Sequence, residues 1–295
     1  MPKKPKIIVL SGYGLNCEEE TAAAFVLAGG EADIVHINDL VEEPKKLSRY
    51  QILAIPGGFS YGDDIGSGKA FANKLNNHLK KQLLEFTSKD KLMIGICNGF
   101  QILTNLGLLP GALTFNDNNR YTDRWVDVKM TQPKVSSRPS AAESRDPEKS
   151  KDWIPDSLSD ALKTSGMTAT VSPWLTGIKS LSLPIAHGEG KFVAADETLS
   201  AIKKQKQIAG VYYKGDICGY QNLQPNPNGS TLDIAAITSP NGKILGIMPH
   251  PERAMFFTQS PDWPLKKEKL IRAGKPLPKY GEGLQIFKNA INYFK

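Results

Sequence analysis

The chain has 295 residues, of which 40% are hydrophobic and 23% charged, ordinary proportions for a globular protein with one large core or two modest ones. Its net charge of +7 comes from scattered lysines, such as Lys3, Lys4, Lys6 and Lys203, Lys204, Lys206, with no accompanying binding motif, so no nucleic-acid partner is expected. Three cysteines (Cys17, Cys97, Cys218) make no disulfide framework, and no apolar run reaches the length of a signal peptide or a bilayer span; the expectation is a cytoplasmic protein with no membrane partner.

In chain order, Ile7–Leu10, Ala32–Ile37, Gln51–Ile55 and Leu92–Ile96 read as buried strands, each ending at a turn-forming or polar residue. Glu18–Leu27 and Lys69–Phe86 between them have helical spacing and good helix formers. Strand–helix–strand alternation predicts an α/β fold, a mostly parallel central sheet flanked by helices, with functional groups at the C-terminal strand ends. From about Thr131 to Ser172 the chain turns rich in Ser, Pro, Lys and Asp and loses periodicity, which reads as an insertion. Further strands are expected at Pro184–Ala186, Ile208–Tyr213, Leu232–Thr238 and Ile244–Met248. Asn241-Gly242 joins the last two as a hairpin turn, so an antiparallel portion is added to the sheet. A second polar, Pro-rich excursion covers 258–279, and a helix near Glu282–Phe294 closes the chain. The prediction is one domain over 1–295 with insertions at 131–172 and 258–279.

The most informative segment runs Gly95-Ile-Cys97-Asn98-Gly99-Phe-Gln101. An apolar strand leads straight into Cys97 and an amphipathic helix follows, the layout of a nucleophile elbow. Gly95 and Gly99 flank the cysteine where side chains would crowd the turn. A helix N-terminus favours a thiolate, the N–H of Asn98 is free to donate to an oxyanion, and Gln101 lies one turn on, on the same face. The same segment also fits a structural cysteine that ends a core strand.

A nucleophilic thiolate needs a histidine, and the histidine an orienting group. His36 ends a predicted strand and His78 sits in a polar helix; both read as structural or surface residues. His187 lies in the turn-like stretch Ala186-His187-Gly188-Glu189-Gly190. His250 lies in Met248-Pro-His250-Pro-Glu252-Arg253, just past a strand, where the prolines hold the backbone extended. Residues two apart in extended chain share a side, so Glu252 emerges beside His250 and can fix its tautomer. After the third strand, Ile55-Pro-Gly57-Gly58-Phe-Ser-Tyr-Gly62-Asp63 lacks the lysine of a phosphate loop, and Gly58 is the candidate for a second oxyanion donor; an ordinary turn is the other reading.

Taken together, Pro-Gly-Gly-Phe-Ser-Tyr-Gly-Asp, Gly-Ile-Cys-Asn-Gly-Phe-Gln, Ala-His-Gly-Glu-Gly and Pro-His-Pro-Glu-Arg resemble class I glutamine amidotransferases, which have a flavodoxin-like fold. The first two motifs, with Leu109-Pro-Gly-Ala-Leu113, are similar more narrowly to the glutaminase subunits of phosphoribosylformylglycinamidine synthase. The resemblance covers about 6–125 and 184–253. It implies that Cys97 attacks the side-chain amide of glutamine, that His250 transfers protons with Glu252 orienting it, and that Gly58 and Asn98 form the oxyanion hole. Gln101, His187, Gly188 and Glu189 would lie against the substrate. It further implies a large synthetase partner and a small bridging subunit, with ATP and Mg bound in the synthetase and no cofactor or metal in this chain. The family's N-terminal Gly-Ser-Asn-Cys appears here as Gly14-Leu15-Asn16-Cys17, and Cys17 is given no role. A cysteine hydrolase or peptidase on the same scaffold, and a silent structural subunit, are the alternatives.

Overall fold

The computed structural model describes residues 4–63, 66–131, 172–215 and 222–295. The first half follows the expected alternation: β1 (Lys6–Ser11), α1 (Glu18–Leu27), β2 (Glu31–His36), α2 (Ile37–Glu42), β3 (Ile52–Ile55), α3 (Lys69–Ser88), β4 (Leu92–Ile96) and α4 (Asn98–Asn105). Four apolar residues in a row suit β1, because helices cover both faces of the sheet and leave no face for polar residues; Ile7, Ile8, Val9 and Leu10 are all buried. α3 turns Phe71, Leu75, Leu79, Leu83 and Phe86 inward at a spacing of about one turn. Acidic residues Glu18, Glu19 and Glu20 fill the first turn of α1, where they complement the helix dipole.

The second half continues with β5 (Ala112–Thr114), β6 (Thr122–Met130), β7 (Ser180–His187), β8 (Lys191–Val193), α5 (Asp196–Lys204), β9 (Ile208–Lys214), β10 (Ile234–Thr238), β11 (Ile244–Ile247), α6 (Trp263–Arg272) and α7 (Leu284–Asn292). Nine strands form one sheet in the order β2-β1-β3-β4-β11-β10-β9-β6-β7. The first five are parallel. From β11 outward every pairing is antiparallel, so the added antiparallel portion is an extension of the same sheet. β5 and β8 form a separate antiparallel pair.

Two differences from the sequence reading have clear causes. β6, the longest strand, is hidden in the sequence because Asp123, Arg124, Asp127 and Lys129 dilute its apolar signal; its inward residues Val126, Val128 and Met130 nonetheless alternate with period two. The 258–279 stretch carries α6, begun with Pro264 in its first turn, where a missing N–H costs nothing, yet none of its residues is buried. The insertion expected at 131–172 lies, apart from its two end residues, outside the described residues. Among the described residues, no helix is long and apolar enough to cross a membrane.

Candidate active site

Two strand ends place the candidate nucleophile and base at one rim. β4 and β11 are parallel neighbours with Ile96 beside Ile247, and the N–H of Cys97 donates to the Ile247 carbonyl at 2.8 Å. The chain therefore leaves both strands at the same edge, one through Cys97 and the other through Met248-Pro249-His250. The N–H of His250 donates to Pro184 O at 2.8 Å, anchoring this segment to β7.

Cys97 has φ 51° and ψ −106°, between a strand ending at Ile96 and a helix starting at Asn98. Such a conformation costs on the order of 1–3 kcal/mol and persists only where packing enforces it. The enforcement is visible. A Cβ on Gly99 would lie 1.9 Å from Ile55 O, and one on Gly95 would lie 2.4 Å from Gly99 O, so α4 rests directly on the sheet. The buried sulfur sits 3.8 Å from the Ala186 carbonyl.

The loop after β3 wraps against this elbow. Asn16 and Cys17 N–H groups donate to Gly57 O, and Phe59 N–H donates to Gly14 O. Gly58 has φ 152°, and a Cβ there would meet Gly14 O at 2.4 Å. Its own N–H takes part in none of these bonds. Asn98 opens α4, so its N–H has no intrahelical acceptor. The Asn98 side chain accepts from Ser60 N–H at 3.2 Å and donates to Gln101 Oε1 at 2.8 Å, tying the glycine loop to the elbow helix. Gln101 Nε2 donates to Glu189 O at 2.6 Å, so the elbow helix also touches the 187–190 loop.

His250 Nδ1 lies 2.6 Å from Glu252 Oε1, with both residues buried. Burial alone would push the imidazole down. The Glu252 carboxylate, then Cys97, outweigh it and hold His250 well above its usual range. The other ring nitrogen, Nε2, is buried with no hydrogen-bond partner in ordinary geometry, and Cys97 and Cys17 are the groups whose sulfurs interact with this ring.

His187 is buried too, but desolvation, then the charge on His250, lowers it to about 3, so it is neutral. Asn116, which the sequence does not single out, holds it: Oδ1 lies 3.1 Å from His187 Nδ1, and the Asn116 amide donates to His187 O at 2.9 Å. Asn228 donates to Gly190 O at 2.8 Å, bracing the end of the same loop. Gly188 and Glu189 are only partly buried between these supports.

Cys17, given no role from the sequence, is fully buried beside His250. Arg253 Nη2 donates to its sulfur at 2.9 Å, a contact spanning 236 positions. A Cβ on Gly57 would meet both the His250 ring and Cys17 Sγ, so that glycine leaves room for the two to pack. One signal for Cys17 was available: Asn16-Cys17 follows the C-terminal end of a parallel strand. Tyr121 is exposed, its ring 6.0 Å from that of Phe59. Its hydroxyl is raised by burial first and then by the charge of Cys97. Of the other histidines, His36 Nδ1 accepts from Asn38 N–H and caps α2, and His78 is exposed on α3.

Among the described residues, Cys17, His250 and Glu252 form the one group with metal-ligand character, their donor atoms within 4.8 Å of one another. One Glu252 oxygen is already bound to His250 Nδ1, and Arg253 places a cation on the cysteine sulfur.

A strained cysteine between strand and helix, with a carboxylate-bound histidine at the next strand end, is the arrangement expected of a class I glutamine amidotransferase. The profile of the CobB/CobQ-like glutamine amidotransferase domain matches residues 4–144 and 159–294, and the chain belongs to that family. Within it, the chain belongs with the phosphoribosylformylglycinamidine synthase subunit PurQ proteins. It is 44% identical to the one from Methanococcus maripaludis, over 98% of this chain and 97% of the relative. It is 35% identical to the one from Dehalococcoides mccartyi, over 98% of each. The PurLQS structure from Thermotoga maritima superposes with a TM-score of 0.65 at 26% identity, covering 99% of this chain and 100% of that one.

Proposed function

We infer that the chain is the glutaminase subunit of phosphoribosylformylglycinamidine synthase, hydrolysing glutamine to glutamate and ammonia for a synthetase partner in purine biosynthesis. The observation that carries this reading is the placement of Cys97 and the Glu252-bound His250 at adjacent strand ends of one rim.

The chemistry follows from that placement. His250 carries the proton of Cys97 as an imidazolium, and the sulfur, as thiolate, attacks the side-chain amide carbon of glutamine. Negative charge builds on the amide oxygen, where the N–H groups of Gly58 and Asn98 receive it. The imidazolium, stabilised by Glu252, gives its proton to the departing nitrogen. Ammonia leaves and a glutamyl thioester remains. Water, deprotonated by His250, then attacks the thioester, releasing glutamate and restoring the thiolate beside the imidazolium. Neutral His187, Gly188, Glu189 and Gln101 border the substrate. Ammonia passes to a large synthetase subunit, with a small bridging subunit completing the complex. ATP and Mg belong to the synthetase, and glutamine hydrolysis by these residues draws on no cofactor. The likeness to the PurLQS structure of Thermotoga maritima supports an assembly of this kind. The break in the family match at 145–158 supports one domain over 1–295 interrupted by an insertion near 131–172; a second insertion at 258–279 and a cytoplasmic location complete the reading.

The test is reconstitution with the synthetase subunits. Cys97→Ala should abolish glutamine-dependent formation of formylglycinamidine ribonucleotide while an ammonium salt still supports it. Loss of both activities would indicate a scaffolding role instead, and peptide hydrolysis by the chain alone would favour a cysteine peptidase.

A further inference from the structure

α6 buries none of its residues, and between it and the strands β6 and β7 lies a cavity of about 390 Å³. That volume falls in the range of small-molecule sites, about 300 to 1,000 Å³. Trp125, Phe256 and Tyr280 line it, so much of its wall is aromatic. Backbone contacts fix the two segments that meet there. Phe256 and Tyr280 pair in an antiparallel bridge, and the Gly281 N–H donates to Met255 O at 2.7 Å. A Cβ on Gly281 would lie 2.4 Å from Ala254 O, so this approach is too close for any other residue. The cavity is therefore preformed.

Two opposite charges border this space without meeting. Lys269 and Glu282 both line the cavity, yet among the described residues neither forms an ion pair. Lys266 adds a second ammonium group, held at 2.9 Å by Asp262. Glu282 Oε2 accepts the Ser182 N–H at 2.9 Å, which leaves most of the carboxylate's acceptor sites open. The Ser182 hydroxyl is buried and has no hydrogen-bond partner among the described residues. Such a lining suits one molecule that combines a flat ring, an anionic group and N–H donors. A nucleotide has all three. Among the common bases, guanine alone sets two N–H donors on neighbouring atoms, N1–H and the 2-amino group, which match the two oxygens of a carboxylate.

We propose that this cavity binds a guanine nucleotide, with the base against the aromatic wall, its N1–H and 2-amino edge on Glu282, and its phosphate on Lys269 and Lys266. The site draws on none of the groups assigned to glutamine hydrolysis, so its failure would leave the glutaminase reading intact.

The experiment measures binding by calorimetry to the full chain, free of the synthetase so that no ATP site contributes. The ligands are guanosine 5′-monophosphate, adenosine 5′-monophosphate and guanosine. The guanine nucleotide should bind at least about tenfold more tightly than the adenine nucleotide. Glu282→Gln keeps an acceptor for the Ser182 N–H but presents an amide to the base, and it should abolish that preference. Lys269→Ala should weaken guanosine 5′-monophosphate about tenfold and leave guanosine unchanged. Both side chains are exposed, so the thermal midpoints of the variants should match that of the parent. No binding of guanosine 5′-monophosphate at millimolar concentration, or equal affinity for the adenine nucleotide, overturns the proposal. A guanine preference that survives Glu282→Gln, or equal weakening of nucleotide and nucleoside by Lys269→Ala, overturns it as well.

Discussion

His187 and His250 are buried at the same rim, yet they are held in opposite charge states. Desolvation and the nearby charge of His250 lower His187 to about 3, while Glu252 and Cys97 hold His250 well above its ordinary value. One histidine can therefore cycle protons, while neutral His187 donates its Nδ1–H to Asn116 Oδ1.

This opposition gives His187 a signature in stability. Its folded value lies below the unfolded value near 6.5, so between those pH values the unfolded chain binds a proton that the native site refuses. Stability should fall as pH drops below about 6.5, at about 1.4 kcal/mol per pH unit from this residue. Urea denaturation of the parent and of His187→Gln, each at pH 7 and pH 5, checks it. The variant should lose about 2 kcal/mol less than the parent over that interval.

For His250 the sign reverses. The Glu252 carboxylate stabilises the imidazolium, and a neutral amide at that position would not. Glu252→Gln should shift the alkaline limb of kcat/KM for glutamine to lower pH by about one unit or more and reduce the maximal rate on the order of 100-fold. A limb that stays in place would remove Glu252 from its orienting role.

The elbow makes a steric prediction. Gly99→Ala drives a Cβ to 1.9 Å from the Ile55 carbonyl, backbone against backbone, with no flexible side chain to yield. About 3 kcal/mol of destabilisation is expected, read from the denaturation midpoint. Gly188→Ala provides the contrast, because its Cβ would meet nothing within 4 Å, and its midpoint should not move.

Much of this site could be read from the chain because it is built from strand ends. Cys97, His250 and the Gly57–Gly58 loop each follow a short apolar run, and a parallel sheet carries such residues to one edge. The Pro-flanked His250 and Glu252 were legible as a pair from their spacing of two, but the extended chain expected there is not what joins them: Pro251–Arg253 form a short 3-10 helix, and the side chains meet across its first turn. What escaped were contacts that only tertiary folding creates. Asn116 meets His187 across 71 positions, and Arg253 meets Cys17 across 236. β6 escaped because its outward face is charged, and its partners β7 and β9 lie well downstream in sequence.

Cys17 and Cys97 are both buried and both close to His250, but of the two only Cys97 occupies the strained elbow at the start of α4. Cys17→Ser, which keeps an acceptor for Arg253, should retain glutaminase activity within about threefold. Cys97→Ser should lower it by at least about a thousandfold. Ammonia release assayed on both variants in the same complex separates the two roles.

The most direct measurement is covalent labelling with 6-diazo-5-oxo-L-norleucine, a diazoketone that mimics glutamine and alkylates the nucleophile it meets, followed by peptide mass spectrometry of the complex. One adduct per chain is predicted, on Cys97, prevented by excess glutamine and absent from His250→Ala on the same timescale. An adduct on Cys17 instead, or none on Cys97 with the synthetase bound, would contradict the assignment of Cys97 and His250 as the reacting pair.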